Sequence, residues 1–353
     1  MIYLIMPGKN SQQLSAMVDV AVKGIDTTIV KNAIDIPDLK NKKILFAVEL
    51  NDIGYNIGLL EILNTISKRG NKALQGSTAG LLIHSDNELY TKSVAKSIIF
   101  AANQLGCNFL GHPLVEATGS LNNFLTWQKS YSMSLEEISL MRSKLLCERL
   151  SNYSFEPIKH PKVIALHSSS KTTSNTLMLW HMIKEHLKDC DLEELHVENG
   201  TVLDCIGCPY NTCKHLGMRN SCYYGGMMVK EILPAIEKAD VIVWVCPNYN
   251  DSISANLMAV INRLTALYRK IKFYDKTIFS VIVSGNSGSD AVAQQLISAL
   301  NVNKGFRLPP YFSIMETAND PAVILSVDSI EKKASAFADN IMSSIKPSSS
   351  NTY

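Results

Sequence analysis

The sequence predicts two doubly wound α/β units with parallel sheets, one following the other, and three observations carry that prediction. Short apolar runs alternate with amphipathic helical stretches along most of the 353 residues, the spacing of a parallel sheet covered on both faces. The order of these segments begins again at Pro161. The run Val241 to Val245 is unbroken in apolar character and stops at Cys246-Pro247, as a strand buried on both faces does where its loop becomes free to meet a ligand.

In the first unit MIYLIM (1–6) reads as a buried strand, then Pro7-Gly8-Lys9-Asn10 as a turn and Ser11 to Lys23 as a helix with Leu14, Met17, Val18 and Ala21 on one face. Thr27 to Lys31 and Lys43 to Val48 are strands; the helix IGLLEILNTISKRG follows and closes at Gly70. TAGLLIHS (78–85) is a strand, and a helix lies near Leu89 to Leu105. A Ser134-x-x-Glu137 capping box opens a helix to Leu150, and Ser151 to Lys162 is a linker with two prolines. From Pro161 the strands KVIALH, DVIVWV and TIFSVIV and their helices repeat this order, which is read as an internal duplication. The expected domains are 1–155, a degenerate copy ending in a linker helix, and 156–353, a copy elaborated by a cysteine-rich insertion at about 204–226. A polar tail begins at Pro347.

Composition narrows the function classes. A net charge of +2 gives no electrostatic case for nucleic acid. No run approaches the length of a membrane span, and the apolar Met1 to Met6 is too short for a secretory h-region. The expectation is a cytoplasmic protein without membrane or nucleic-acid partners, and sequence leaves a homo-oligomer open. Eight cysteines in such a chain point to metal, redox chemistry or buried thiols rather than a disulfide framework.

Three loops of the second copy follow consecutive strands and would meet at one sheet edge. The first, His167 to Thr176, is rich in hydroxyls and carries Lys171 at a strand-to-helix turn, where unpaired helix amides favour an anion. Its plain reading is a Ser/Thr-rich loop with one N-cap. The second, Cys246 to Ser254, offers a rigid proline turn, amides and an aromatic face suited to a flat heterocycle. In the third, Ser284 to Ser289, two glycines allow backbone to approach a ring closely.

These residues carry a resemblance. SSSKTTSNT resembles the phosphate loop of the NADPH-dependent FMN reductase family of the flavodoxin-like superfamily, and CPNYNDSISANLMAVINR is similar to that family's ring-binding segment. DCIGCPYNTC with Cys222 resembles the cysteine segment of its iron-sulfur flavoprotein branch, so the resemblance spans about 161–345. It implies that Ser169, Lys171, Ser174, Asn175 and Thr176 hold the FMN phosphate. Pro247, Asn248, Tyr249 and Asn250 would line the isoalloxazine ring, with Gly285, Asn286 and Gly288 along its other edge. Ser168 and Ser170 stand where the family favours Gly and Pro. In the first copy the matching loops are Pro7 to Gln12 and Glu49 to Gly54, with one hydroxyl in the former and two carboxylates in the latter. That copy is expected to bind no flavin.

Cys205, Cys208, Cys213 and Cys222 place four thiols within eighteen residues. A four-iron, four-sulfur cluster, zinc, reactive thiols and inert buried cysteines are the readings open, with His215 as a substitute ligand. Cys107, Cys147, Cys190 and Cys246 read as packing residues; Tyr223 and Tyr224 read as core, or as a substrate wall. His84 and His167 end strands with no carboxylate beside them in sequence. The resulting expectation is an NAD(P)H-dependent FMN oxidoreductase passing electrons to a small-molecule or flavin acceptor. The alternatives are an iron-sulfur flavoprotein relaying electrons between redox proteins, and a scaffold without turnover. No side chain is required as an essential base, and without a dinucleotide fingerprint NAD(P)H is expected to stack on the flavin transiently.

Overall fold

The computed structural model describes residues 1–169 and 172–346, and the chain divides into two compact units, Met1–Ser154 and Phe155–Tyr353. The first unit runs β1 (Ile2–Ile5), α1 (Gln12–Val22), β2 (Thr27–Val30), β3 (Lys43–Leu50), α2 (Ile57–Ser67), β4 (Thr78–Ser85), α3 (Thr91–Asn103), β5 (Asn108–Ala117), α4 (Leu125–Gln128) and α5 (Leu135–Ser151). Its five strands are all parallel in the order β2-β1-β3-β4-β5. Central β3 and β4 read as continuous apolar runs because helices cover both faces; every residue of β4 is buried. Ser11 caps α1 by accepting from the Leu14 amide at 3.1 Å. Ser134 and Glu137 form the reciprocal box expected at α5.

The second unit runs β6 (Lys162–His167), α6 (Asn175–His186), β7 (Asp191–His196), α7 (Tyr210–Met218), α8 (Leu233–Lys238), β8 (Val241–Pro247), α9 (Ala255–Tyr268), β9 (Thr277–Ser284), α10 (Ser289–Leu296), β10 (Ser313–Thr317) and α11 (Ile330–Ser343). The strand order, β7-β6-β8-β9-β10, is that of the first unit with each strand renumbered. Both units therefore have the flavodoxin-like 2-1-3-4-5 arrangement, whose ligand crevice opens where the connections after the first and third strands diverge. Here that switch point lies between β6 and β8. One face of this sheet packs Val163, Ala165, Val243, Val245, Phe279 and Val281 against Trp180 of α6 and Phe337 of α11.

Three edge strands, β5, β7 and β10, have no counterpart in the sequence reading. β5 contains Gly111, His112 at φ 50° and Pro113, and its pairing with β4 slips between Ala79 and Leu81. Proline and a bulge are tolerated there because an edge strand leaves one side of its backbone unpaired. β7 (DLEELH) is half acidic, with a partly exposed burial pattern, as edges often are. Gly70 lies beyond the end of α2, at φ +95°.

Candidate functional site

The carboxyl ends of β6, β8 and β9 do meet around one cleft, about 560 Å³ in volume, which falls within the roughly 300–1,000 Å³ of small-molecule sites. From the first loop Ser168, Ser169, Thr173, Ser174, Asn175 and Thr176 line it; from the second, Pro247, Asn248 and Tyr249; from the third, Gly285. None of its described lining residues is charged. Lys171 lies outside the described residues.

Each wall has a local cause. Ser174 is the N-cap of α6, accepting from the Leu177 amide at 3.4 Å, while its hydroxyl donates to Ser169 Oγ at 3.1 Å. The α6 N-terminus, with its partial positive charge, thus opens onto the cleft. Asn175 does not offer its amide to the cleft. Its Nδ2 donates to the Ala318 and Asp320 carbonyls at 3.0 and 2.9 Å, and its Oδ1 accepts from the Ile324 amide at 3.2 Å. That residue ties down a fourth loop, after β10, whose Ala318, Asn319 and Pro321 complete the cleft. The sequence reading misses this loop, because β10 has only five residues, of mixed burial, and no periodic signal.

In the second loop Tyr249 and Ser252 pair across a tight turn, with Asn250 and Asp251 at φ 53° and 56°. Two successive left-handed residues define the turn type that favours Asn and Asp. Asn250 therefore shapes the loop and does not line the cleft, and Asn286 likewise turns its Oδ1 onto the neighbouring Ser287 amide at 2.7 Å. Asn248 Nδ2 donates to Ser284 Oγ and the Ser287 carbonyl, both at 2.9 Å, and to Asp251 Oδ1 at 3.2 Å. Its Oδ1 is buried without a partner, although the residue lines the cleft. Gly288 sits at φ +88°, and a Cβ there would lie 1.8 Å from Asp251 Oδ1. Gly288→Ala is expected to push the Asp251 turn out of place and to weaken ligand binding by about tenfold or more, from a strain of roughly 1–3 kcal/mol. Titration of the variant with ligand checks this.

At the equivalent edge of the first unit, Ser11, Glu49 and His84 bond to one another. The Ser11 amide, at the N-terminus of α1, donates to Glu49 Oε2 at 2.9 Å, and Glu49 Oε1 lies 2.5 Å from His84 Nδ1. Ser11 Oγ also meets that nitrogen, at 3.0 Å. Burial pushes the Glu49 carboxyl up, but hydrogen bonds from His84 and Ser11 outweigh it and hold the group below its ordinary value. A carboxylate thus stands against the helix terminus. Its stabilisation is complete above the ordinary carboxylate range and fades as pH falls through the lowered value. Glu49→Gln is expected to cost about 1–3 kcal/mol at neutral pH and to flatten the acid limb of stability, read by denaturation of the full chain across pH.

A second, smaller cavity of about 170 Å³ is lined by Cys205, Cys208, Cys213 and Cys222 together. Cys213 is carried on α7, so the segment is not wholly a loop, and His215 is not among the lining residues. Tyr223 and Tyr224 are 60% and 45% exposed beside the thiols, a correction to their core reading. The sequence also gives no hint of Arg263 on α9. It is buried to 2% exposure and reaches Cys222 Sγ at 3.4 Å through Nε, with the Leu203 and Gly225 carbonyls at 3.3 and 3.1 Å. Cys246, Cys107 and Cys147 are buried in packing positions; desolvation pushes the Cys246 thiol far up. Among the described residues, the trio close enough to share one ion is Glu49, His84 and Asp86. There the His84 Nδ1 is already occupied by Glu49 and Ser11.

Residues 161–320 match the family model described as NADPH-dependent FMN reductase. That match bears out the resemblance to this family over 161–320. Among solved structures the chain is similar to an NADH:FMN oxidoreductase in apo form, at 16% identity and TM-score 0.37, covering 55% of this chain and 94% of that one. An azoreductase from Bacillus anthracis str. Sterne has 14% identity and TM-score 0.39, covering 52% and 98%. An FMN-dependent NADH-azoreductase from Bacillus anthracis str. Ames Ancestor, in complex with FMN, has 13% identity and TM-score 0.37, covering 51% and 99%. No curated protein matches the chain. The fold assignment rests on the strand order, and no helix among the described residues is long and apolar enough to cross a membrane.

Proposed function

We propose that the chain is an NAD(P)H-dependent oxidoreductase that holds FMN in the cleft at the ends of β6, β8 and β9 and reduces a small-molecule or flavin acceptor. The observation that carries this reading is the cleft at the ends of β6, β8 and β9, built by the segment that matches the FMN reductase family. The residues fit the cofactor. Ser169, Ser174 and Thr176 stand with the α6 N-terminus where a phosphate is best received. The orphaned Asn248 Oδ1 calls for a donor of the kind a flavin ring edge presents. When bound, FMN supplies the hydride-accepting chemistry.

This chain's part is then binding and orientation. Asn248 is held rigid by its three acceptors, and Tyr249, 58% exposed, forms an aromatic rim over one side of the cleft. Gly285 lets backbone come close, since a Cβ there would already stand 3.0 Å from Asn319 Oδ1. The experiment is anaerobic addition of NADH or NADPH to the FMN-loaded protein, with loss of flavin absorbance as the expected result.

A second centre is supported by the thiol cavity. The cavity is flanked by buried Arg263, by Arg269 and by Lys304, which suits an anionic centre such as a four-iron cluster. Burial lowers the Lys304 pKa first and Arg269 lowers it further, while Cys205 and Cys213 oppose both. Cys205, Cys208, Cys213 and Cys222 would hold the cluster, which would supply one-electron transfer. The exposed tyrosines beside it favour, as the second reading, a relay to a redox protein.

A further inference from the structure

His167 is the last residue of β6 and stands behind the wall of the cleft. Its Nδ1 meets the Ser169 carbonyl at 3.0 Å, so that nitrogen carries the hydrogen and donates it. Nε2 is left facing Glu194 Oε1 at 3.5 Å, and the His167 side chain is only 8% exposed. Its ring stacks on His196 of β7 with centroids 4.8 Å apart and planes 4° from parallel. Glu194 is also approached from α6, by Trp180 Nε1 at 2.9 Å, Lys184 Nζ at 3.2 Å and His181 Nε2 at 3.5 Å. On its other side β6 pairs with β8, which carries no carboxylate or basic group. His196 Nε2 is buried with no partner.

The hydride chemistry does not use this cluster, and the cleft wall draws on it only through the bond from His167 Nδ1 to the Ser169 carbonyl. Ser168 and Ser169, which follow His167 directly, both line the cleft, and none of the described lining residues bears a positive charge. A phosphate monoester there would bring nearly two negative charges close to a histidine that already has a carboxylate behind it. We propose that His167 takes up a proton from solvent when a phosphate monoester enters the cleft, holding it at Nε2 against Glu194, so that a positive charge is set behind the loop only when an anion is in front of it. This rests on the FMN reading of the cleft. Before the ligand arrives the neutral form of the ring is favoured. Burial pushes its pKa down first and the charges of His196 and His181 add to that, while Glu194 and the Ser169 carbonyl only partly offset them. An incoming anion reverses the balance, and linkage makes the affinity for it rise as pH falls between the free and the bound value, by up to tenfold per pH unit.

The test is titration of the full chain, freed of flavin, with FMN and separately with riboflavin, which lacks the phosphate, between about pH 7.5 and 5.5. His167→Asn keeps a donor for the Ser169 carbonyl but cannot titrate. Wild-type affinity for FMN, divided by that of the variant, is expected to rise several-fold across this range, and the same ratio for riboflavin to stay flat. Calorimetry of wild-type FMN binding in two buffers of different ionisation enthalpy, which needs no variant, is expected to show net proton uptake near neutral pH. FMN's own phosphate would give release. If FMN binds more tightly than riboflavin but both proteins share one pH dependence, or if no proton is taken up, the role of His167 is overturned and the cleft reading stands. If FMN and riboflavin bind equally well, the phosphate reading itself fails and this proposal with it.

Discussion

Replacing Ser174 and Asn175 together by alanine is expected to weaken FMN binding by up to about a hundred-fold while leaving the protein folded. Ser174 caps α6 and fixes Ser169, so its loss removes a hydroxyl from the anion site and loosens the helix terminus that faces it. Asn175 acts less directly. Its three bonds to Ala318, Asp320 and Ile324 hold the loop after β10 against the cleft, and without them that wall is free to move. At roughly 1–1.5 kcal/mol for each site, the pair amounts to about 2–3 kcal/mol, or up to about two orders of magnitude in Kd. Quenching of FMN fluorescence on titration into flavin-free protein measures it, with circular dichroism to check the fold. An unchanged Kd would remove the phosphate assignment.

Cys208→Ser is expected to abolish iron and sulfide in protein purified without oxygen, yet to leave FMN uptake intact. The separation follows from the structure. The thiol cavity is bounded by the segment 205–224 and by α9 with its C-cap Arg269, and none of its lining residues also lines the cleft at the ends of β6, β8 and β9. Equal amounts of iron and sulfide in the wild type, both lost in the variant, would support the four-iron centre. Zinc without sulfide would select a single-ion site and remove the relay reading. A buried Arg263 against Cys222 argues for a centre of net negative charge in either case, since a guanidinium is costly to bury without one.

Much of the fold was legible because central parallel strands announce themselves. KILFAV, TAGLLIHS and VIVWVC are apolar without alternation, and such runs bounded by turn residues have few other readings. Edge strands obey no such rule. DLEELH is acidic because one side faces water, and β5 is broken by Gly111 and Pro113, so both pass for loops. At the site, the loops themselves were visible in the serines, glycines and Pro247, but the direction of each side chain was not. Nothing in the string distinguishes Asn248, which leaves an unpartnered oxygen at the cleft, from Asn175 and Asn286, which turn their amides elsewhere. His84 and His167 show the same limit. Each has its carboxylate on the neighbouring strand, Glu49 on β3 and Glu194 on β7, 35 and 27 residues away in sequence. Only the sheet order brings them together.

The central claim, that the second unit presents FMN to a nicotinamide, is tested most directly by mixing the full chain, loaded with FMN and kept free of oxygen, with NADH and with NADPH while following the flavin absorbance. The account predicts a bound flavin that is bleached by at least one of the two and recovers its colour when an acceptor is admitted. A protein that takes up no FMN, or one whose bound flavin keeps its oxidised spectrum with both nucleotides, would contradict it.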